Sequence, residues 1–272
     1  MIGNRFGPAN EMTTAPKGMA LAAWHQRYLQ QAGWTQEVRR HLFAIAGLQP
    51  NAKILEVGCG TGAVISQIAV ETQYNQTGID IDYASLVFAQ GTCPKANLAQ
   101  ADGHLLPFAD SNYDAVYCHY LLLWVDDPLQ VLREMRRVTK PGGAVIALAE
   151  PDHASRLDAP TPLDELGRLQ TVALTTQGAN IWMGRLLGKT FQEAGLELVL
   201  SGMLGAEWSP SNQIPDDLEW ETIRSDLADV MSDVELSRYQ AADQAAWEAG
   251  TRVLFVPTFY ALGLVPERLS SS

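Results

Sequence analysis

The run ILEVGCGTG at residues 54–62 constrains this chain more than any other feature. Ile54, Leu55 and Val57 form a short apolar strand, while Val64, Ile65, Ile68 and Ala69 resume at helical spacing after the glycines. A strand that turns through Gly58, Gly60 and Gly62 straight into a helix is the opening unit of a parallel α/β sheet. Without Cβ atoms, such a loop turns tightly and lets a ligand reach the backbone beside the helix amino terminus. The loop alone leaves the ligand open, because Gly58, Gly60 and Ala63 also satisfy the dinucleotide fingerprint with alanine in its third place.

The alternation continues beyond the loop. Strands are predicted at 76–81, 96–101, 113–122 and 144–150, with helical stretches between them, so a parallel sheet should be covered on both faces. Before the loop, Leu21, Trp24 and Tyr28, then Val38, Leu42 and Ile45, predict two helices, with Thr35 as a cap and Gly47 as a stop. Asp127 caps a helix that begins at Pro128, carries Leu129, Leu132, Met135 and Val138 on one face, and is ended by Pro141. Past Pro151 the regularity loosens: Thr161 and Pro162 open an inserted helix bearing Leu163, Leu166 and Leu169. A helix at 183–194 and a strand at 197–204 follow, then two acidic helices over 216–247 divided by a Ser232/Glu235 capping box, and a last strand at 252–262 antiparallel to the rest. The expected organisation is a loose tail at 1–17, one domain over 18–265, and a short tail at 266–272. Within the domain, 18–47 are amino-terminal helices, 48–150 the ligand-binding core, 151–182 a helical insertion, and 183–265 the completion of the core with a second insertion at 214–250.

Composition narrows the classes. The chain has 272 residues, 47% hydrophobic and 18% charged, which suits a globular domain, and no apolar run approaches a bilayer span. Residues 1–17 lack the basic and apolar segments of an export signal, so a cytoplasmic location is expected. Cys59, Cys93 and Cys118 show no metal-ligand spacing, so no metal is expected. A net charge of −12 without a visible basic cluster argues against a nucleic-acid partner.

Two further acids bear on the ligand. Asp80 ends the second strand, where a carboxylate can accept from both ribose hydroxyls, and Asp102 ends the third, followed by Gly103. With these residues the chain resembles the class I S-adenosylmethionine-dependent methyltransferases, and especially the small-molecule group that includes the quinone-biosynthesis C-methyltransferases. The matching segments are Glu56 with its glycines, GID at 78–80, ADGHLLPF at 101–108, YDAVYCHYLLLWVDDP at 113–128 and LREMRRVTKPGG at 132–143, with a looser echo at 183–196. The resemblance implies a doubly wound Rossmann-like α/β fold with seven strands in the order 3-2-1-4-5-7-6, the seventh antiparallel, and added helices forming a cap. It also implies S-adenosylmethionine as cofactor, S-adenosylhomocysteine as product, and a small-molecule acceptor. Glu56, Gly58, Cys59 and Gly60 would lie by the methionine part, Asp80 at the ribose, Ile81 on adenine, and Asp102 with Gly103 at the adenine amino group. His119 and Tyr120 would face the sulfonium and the acceptor.

Methyl transfer by displacement needs alignment of nucleophile, methyl and sulfur, and a base only where the acceptor holds its proton tightly. His119 is the candidate base; a polar pocket lining without proton transfer explains it equally. Trp24, His25, Tyr28, Trp124, Glu150 and Trp182 are candidates for the acceptor pocket. Tryptophans outside the core alternation would line an apolar chamber or simply fasten the added helices. Two other functions stay open: a nicotinamide-dependent oxidoreductase, motivated by Gly58, Gly60, Ala63 and Asp80, and a protein that binds S-adenosylmethionine without catalysis. The oxidoreductase reading leaves Glu56 and residues 101–108 unexplained and finds no Tyr-x-x-x-Lys pair.

Overall fold

A computed structural model describes residues 20–205 and 217–267; the predicted tail at 1–17, the last five residues and Trp208 lie outside the described residues. Seven strands form one sheet: β1 (Lys53–Val57), β2 (Asn75–Asp80), β3 (Asn97–Gln100), β4 (Tyr113–Cys118), β5 (Thr139–Pro151), β7 (Glu197–Met203) and β9 (Thr258–Leu264). Their order is β3-β2-β1-β4-β5-β9-β7, parallel as far as β5, with β9 antiparallel to both of its neighbours. This is the expected 3-2-1-4-5-7-6 arrangement.

Both faces of the sheet are buried, so the strands alternate between two cores. Leu55, Val57, Val116, Cys118, Val145 and Ala147 point to a core shared with α5 (Pro128–Val138) and α7 (Met183–Glu193). Ile54, Ala115, Tyr117, Ile146 and Leu148 point to the other, with Leu42 and Phe43 of α2 (Gln36–Ile45) and Val64 and Ile68 of α3 (Ala63–Glu71). Strands with apolar residues at every position are what a doubly covered parallel sheet requires. The order reverses between β1 and β4, and such a reversal leaves a crevice at the carboxyl ends of the strands.

Local signals explain most element ends. Asp127 accepts from the Gln130 N–H at 2.9 Å and caps α5, and Asp82 does the same for α4 (Tyr83–Thr92) through Ala84 and Ser85. The Ser232/Glu235 capping box forms at the start of α9 (Asp233–Glu248), after α8 (Asp217–Leu227). Thr35 sits between α1 (Leu21–Trp34) and α2, yet its hydroxyl donates to the Ala32 carbonyl at 3.1 Å and caps nothing.

Three boundaries differ from expectation. β4 stops at Cys118, because Tyr120 takes a left-handed φ of 53° that carries the chain off the sheet. β5 begins at Thr139, which pairs with Tyr113, and runs through Pro141 and the two glycines before regular pairing with β4 resumes at Ala144. The predicted final strand is two, β8 (Val253–Phe255) and β9, split at Pro257, which has no N–H to continue a ladder. β8 pairs instead with β6 (Leu157–Ala159) in a separate two-stranded sheet that periodicity did not reveal. With α6 (Leu163–Thr176), α8 and α9 this sheet forms the cap, whose apolar core joins Leu163, Leu166, Trp220, Ile223, Leu227 and Leu236.

Candidate active site

A cavity of about 1260 Å³ lies over the carboxyl ends of the strands, floored by the sheet and roofed by α1 and the cap. Its first end is made by the glycine loop. Gly58, Gly60 and Gly62 have φ of 74°, 50° and 76°, a region that side chains disfavour, and a Cβ on Gly58 would lie 2.7 Å from Leu121. The Gly58 and Cys59 N–H groups both donate to the Ile79 carbonyl at 2.8 Å, which ties the loop to β2. Asp80 finishes the arrangement: Oδ2 accepts from the Gly60 N–H at 2.7 Å and Oδ1 from the Asp82 N–H at 2.9 Å. Burial raises its pKa above the ordinary carboxylate range against the pull of these N–H groups.

Two more carboxylates face the same end. Glu56 is buried, accepts from the Tyr117 hydroxyl at 3.2 Å, and is pushed up to about 8 by its burial. Asp102 is half exposed; desolvation acts against its ionisation, but the His104 N–H and ring, at 2.9 and 2.7 Å, hold its pKa below the ordinary value. Cys59, Ile81 and Gly103 complete this wall, and burial drives the Cys59 thiol pKa upward. The arrangement is an acidic rim around open backbone, suited to a ligand with a diol and positive charge.

The floor depends on how the chain leaves β4. The Tyr120 N–H donates to the Ala149 carbonyl at 2.9 Å, and the N–H groups of Leu121, Leu122 and Leu123 donate to the Glu150 carboxylate at 3.1, 3.0 and 3.2 Å. Glu150 is fully buried and pushed up to about 7 by desolvation. It therefore holds the turn from beneath and does not line the cavity, contrary to its predicted place in an acceptor pocket. The turn presents His119 and Tyr120 to the cavity, with their rings 4.8 Å apart. Burial, with the Arg39 charge, pushes His119 down to about 3, and its Nε2 lies 3.3 Å from the Thr35 hydroxyl.

Among the described residues five tryptophans line the cavity: Trp24 and Trp34 from α1, Trp124 after β4, and Trp220 and Trp247 from the cap that closes the second end. Tyr28 stacks on Trp24 at 5.6 Å and reaches the glycine loop, 3.8 Å from where a Cβ on Gly60 would stand. Two other candidates stand elsewhere. His25 bonds Thr61 at 2.8 Å and rests on Phe88, pinning α1 to the glycine loop from outside the cavity. Trp182 is 48% exposed at the start of α7. Arg27, His153, Arg156, Gln170, Asp226 and Arg252, none of them among the candidates named from sequence, also line the cavity. No spacing advertises them, since they come from five separate elements or loops.

Residues 55–147 match the family model described as a methyltransferase domain. A demethylmenaquinone methyltransferase of Renibacterium salmoninarum is 33% identical over 121 residues, 44% of this chain and 50% of the relative, so the chain spans about half the length of the curated relative it matches. Among solved structures, the methyltransferase of Haloferax volcanii determined in complex with its Trm112 activator covers 91% of this chain and 98% of its own, at a TM-score of 0.60 and 16% identity. The [4+2]-cyclase SpnF covers 85% of this chain and 82% of its own, at a TM-score of 0.55 and 19% identity. The likeness to these structures is one of fold, and the same architecture carries a cyclase as well as methyltransferases. The matched residues supply the glycine loop, Asp80, Asp102 and the β4 turn, while α1 and the cap that close the cavity lie outside them. Among the described residues no helix is long and apolar enough to cross a membrane.

Proposed function

We propose that this chain is an S-adenosylmethionine-dependent methyltransferase acting on a small, largely apolar or aromatic acceptor. The observation that carries the reading is one continuous cavity with an acidic, glycine-lined end and a tryptophan-walled end. Its volume exceeds the roughly 300 to 1,000 Å³ of a pocket for one small ligand, so it has room for cofactor and acceptor side by side. The residues present fit this cofactor: Asp80 would take the ribose diol, Asp102 the adenine amino group, and Glu56 with the Gly58–Gly60 backbone the methionine part. An acidic rim attracts a ligand bearing ammonium and sulfonium charges and repels the pyrophosphate of a dinucleotide, which disfavours the oxidoreductase reading.

When bound, the cofactor would supply an electrophilic methyl for an electron pair of the acceptor. The protein's part is alignment and exclusion of water, through the floor turn at His119–Leu123 and the roof at Trp24 and Tyr28. At a pKa of about 3, His119 is neutral and a weak base, so its role is to position the acceptor by hydrogen bonding from a ring oriented by Thr35. The name of the relative from R. salmoninarum supports an acceptor of this small-molecule kind.

Thermal unfolding with S-adenosylmethionine, S-adenosylhomocysteine or NAD tests the reading. Ligand at about 100 times its Kd stabilises by roughly 2.7 kcal/mol, a rise of several degrees. The two sulfur ligands should raise the midpoint and NAD should not; a rise with NAD alone transfers the site to the oxidoreductase class.

A further inference from the structure

The cap end of the cavity holds more buried charge than an apolar acceptor needs. Arg252 donates to Asp158 at 2.9 Å and to Asp243 at 2.6 Å, and Asp243 also accepts from the Trp220 indole at 2.9 Å. Arg156 pairs with Asp158, and Arg27 of α1 with Glu219 of α8. Three guanidinium groups are thereby matched to Asp158, Asp243 and Glu219. A fourth carboxylate, Asp226, has no ion pair among the described residues, although it is only 7% exposed.

Its orientation is set by a relay. Arg156 has only donors and takes the Gln170 carbonyl oxygen, so the Gln170 amide must turn its NH2 outward, and that group donates to Asp226 Oδ2 at 2.6 Å. Oδ1 has no hydrogen-bond partner among the described residues, and Asp226 lines the cavity. Nearer the glycine loop, where Tyr28 stacks on it, Trp24 is 5% exposed and its indole N–H, which also lines the cavity, has no partner among the described residues. A carboxylate with a single hydrogen bond and little solvent is costlier to keep ionised than a neutral group, and burial raises the Asp226 pKa to about 6, with Glu219 adding to the rise and Gln170, Arg156 and Arg27 opposing it.

Building on the methyltransferase reading, we propose that the acceptor is a ring-bearing apolar molecule whose hydrogen-bond-donating group, an amine or a hydroxyl, is held by the Asp226 carboxylate. The tryptophans that line the cavity pack its body. A carboxylate or phosphate at that position is refused, because the cap cluster holds one more acid than base and the whole chain carries −12.

The test uses one ring system with three ends: tryptamine, tryptophol and indole-3-acetate, titrated by calorimetry into the full chain saturated with S-adenosylhomocysteine. Tryptamine or tryptophol should bind about tenfold or more tightly than indole-3-acetate, the effect of one charge-assisted hydrogen bond, and which of the two leads distinguishes amine from hydroxyl. Asp226→Asn keeps the shape and the Gln170 contact and should reduce that preference to near parity. Equal binding of the three, preference for the carboxylate, absence of binding at millimolar concentration, or an unchanged order in Asp226→Asn overturns the proposal. The order in the native chain decides even if the variant does not fold. S-adenosylhomocysteine affinity is read separately: its absence overturns the methyltransferase reading, whereas tight binding with a flat panel overturns only the assignment of Asp226.

Discussion

The two ends of the cavity are built differently. At the glycine-loop end, contacts are between backbone and short side chains close in sequence: Gly60 with Asp80 is a separation of 20, and Asp102 with His104 of 2. At the cap end they are between long side chains far apart, Arg27 with Glu219 across 192 residues and Arg252 with Asp158 across 94. The first end is a consequence of strand order and keeps its shape whatever covers it. The second exists only when α1, α6, α8, α9 and the β6–β8 ribbon have met, which makes it the end free to vary with substrate.

If this contrast is right, the largest loss comes from the element beneath both ends. Glu150→Ala leaves the N–H groups of Leu121, Leu122 and Leu123 without their acceptor; at about 1 to 3 kcal/mol per buried donor, a loss near 3 to 5 kcal/mol should appear as a midpoint lower by roughly ten degrees. A shift of a degree or two would remove Glu150 from that role. Next comes the roof: Arg27→Met strands a partly buried Glu219 and should cost about 3 kcal/mol in unfolding by denaturant, with S-adenosylhomocysteine affinity nearly kept. Equal damage to cofactor affinity would merge the two ends into one unit.

Asp80→Ala is the converse probe. It should weaken S-adenosylhomocysteine by about 2 to 3 kcal/mol, roughly 30- to 150-fold in calorimetry, while the ligand-free midpoint, with the Gly60 and Asp82 N–H groups losing their acceptor, falls by less than it does in Glu150→Ala. A smaller effect separates by pH. Glu56 and Glu150 have folded pKa values near 8 and 7, above the ordinary 4.5, so the stability they contribute is complete below about 4.5 and lost as pH rises through those values. The midpoint of Glu56→Gln should fall less steeply than that of the native chain between pH 5 and 8; parallel curves would place the Glu56 pKa at its ordinary value. Last, Trp24→Phe removes an unpartnered N–H together with part of a buried ring, so without ligand it should cost only the lost packing, about 1 to 2 kcal/mol. A clearly larger loss would show that the indole N–H has a partner.

The sequence by itself determined the sheet and the first end of the site. Short continuous apolar runs, three glycines, and acids at strand ends are local, and a parallel sheet aligns strand ends by its own geometry, so Glu56, Gly58, Asp80, Asp102 and His119 could be placed from spacing and resemblance. The same locality explains the errors. Glu150 and Asp80 are alike in sequence, acids at the ends of apolar strands; only the left-handed turn at Tyr120 decides that Glu150 faces three N–H groups while Asp80 faces the cavity. His25 and Tyr28 share a helix, and the packing of α1 on α3 sends one to Thr61 and the other into the cavity. Tertiary structure alone decided the acceptor end, because pairing among Arg27, Asp158, Gln170, Asp226, Asp243 and Arg252 depends on folded geometry that no periodicity encodes: a buried charge takes whichever partner the packing brings within about 3 Å.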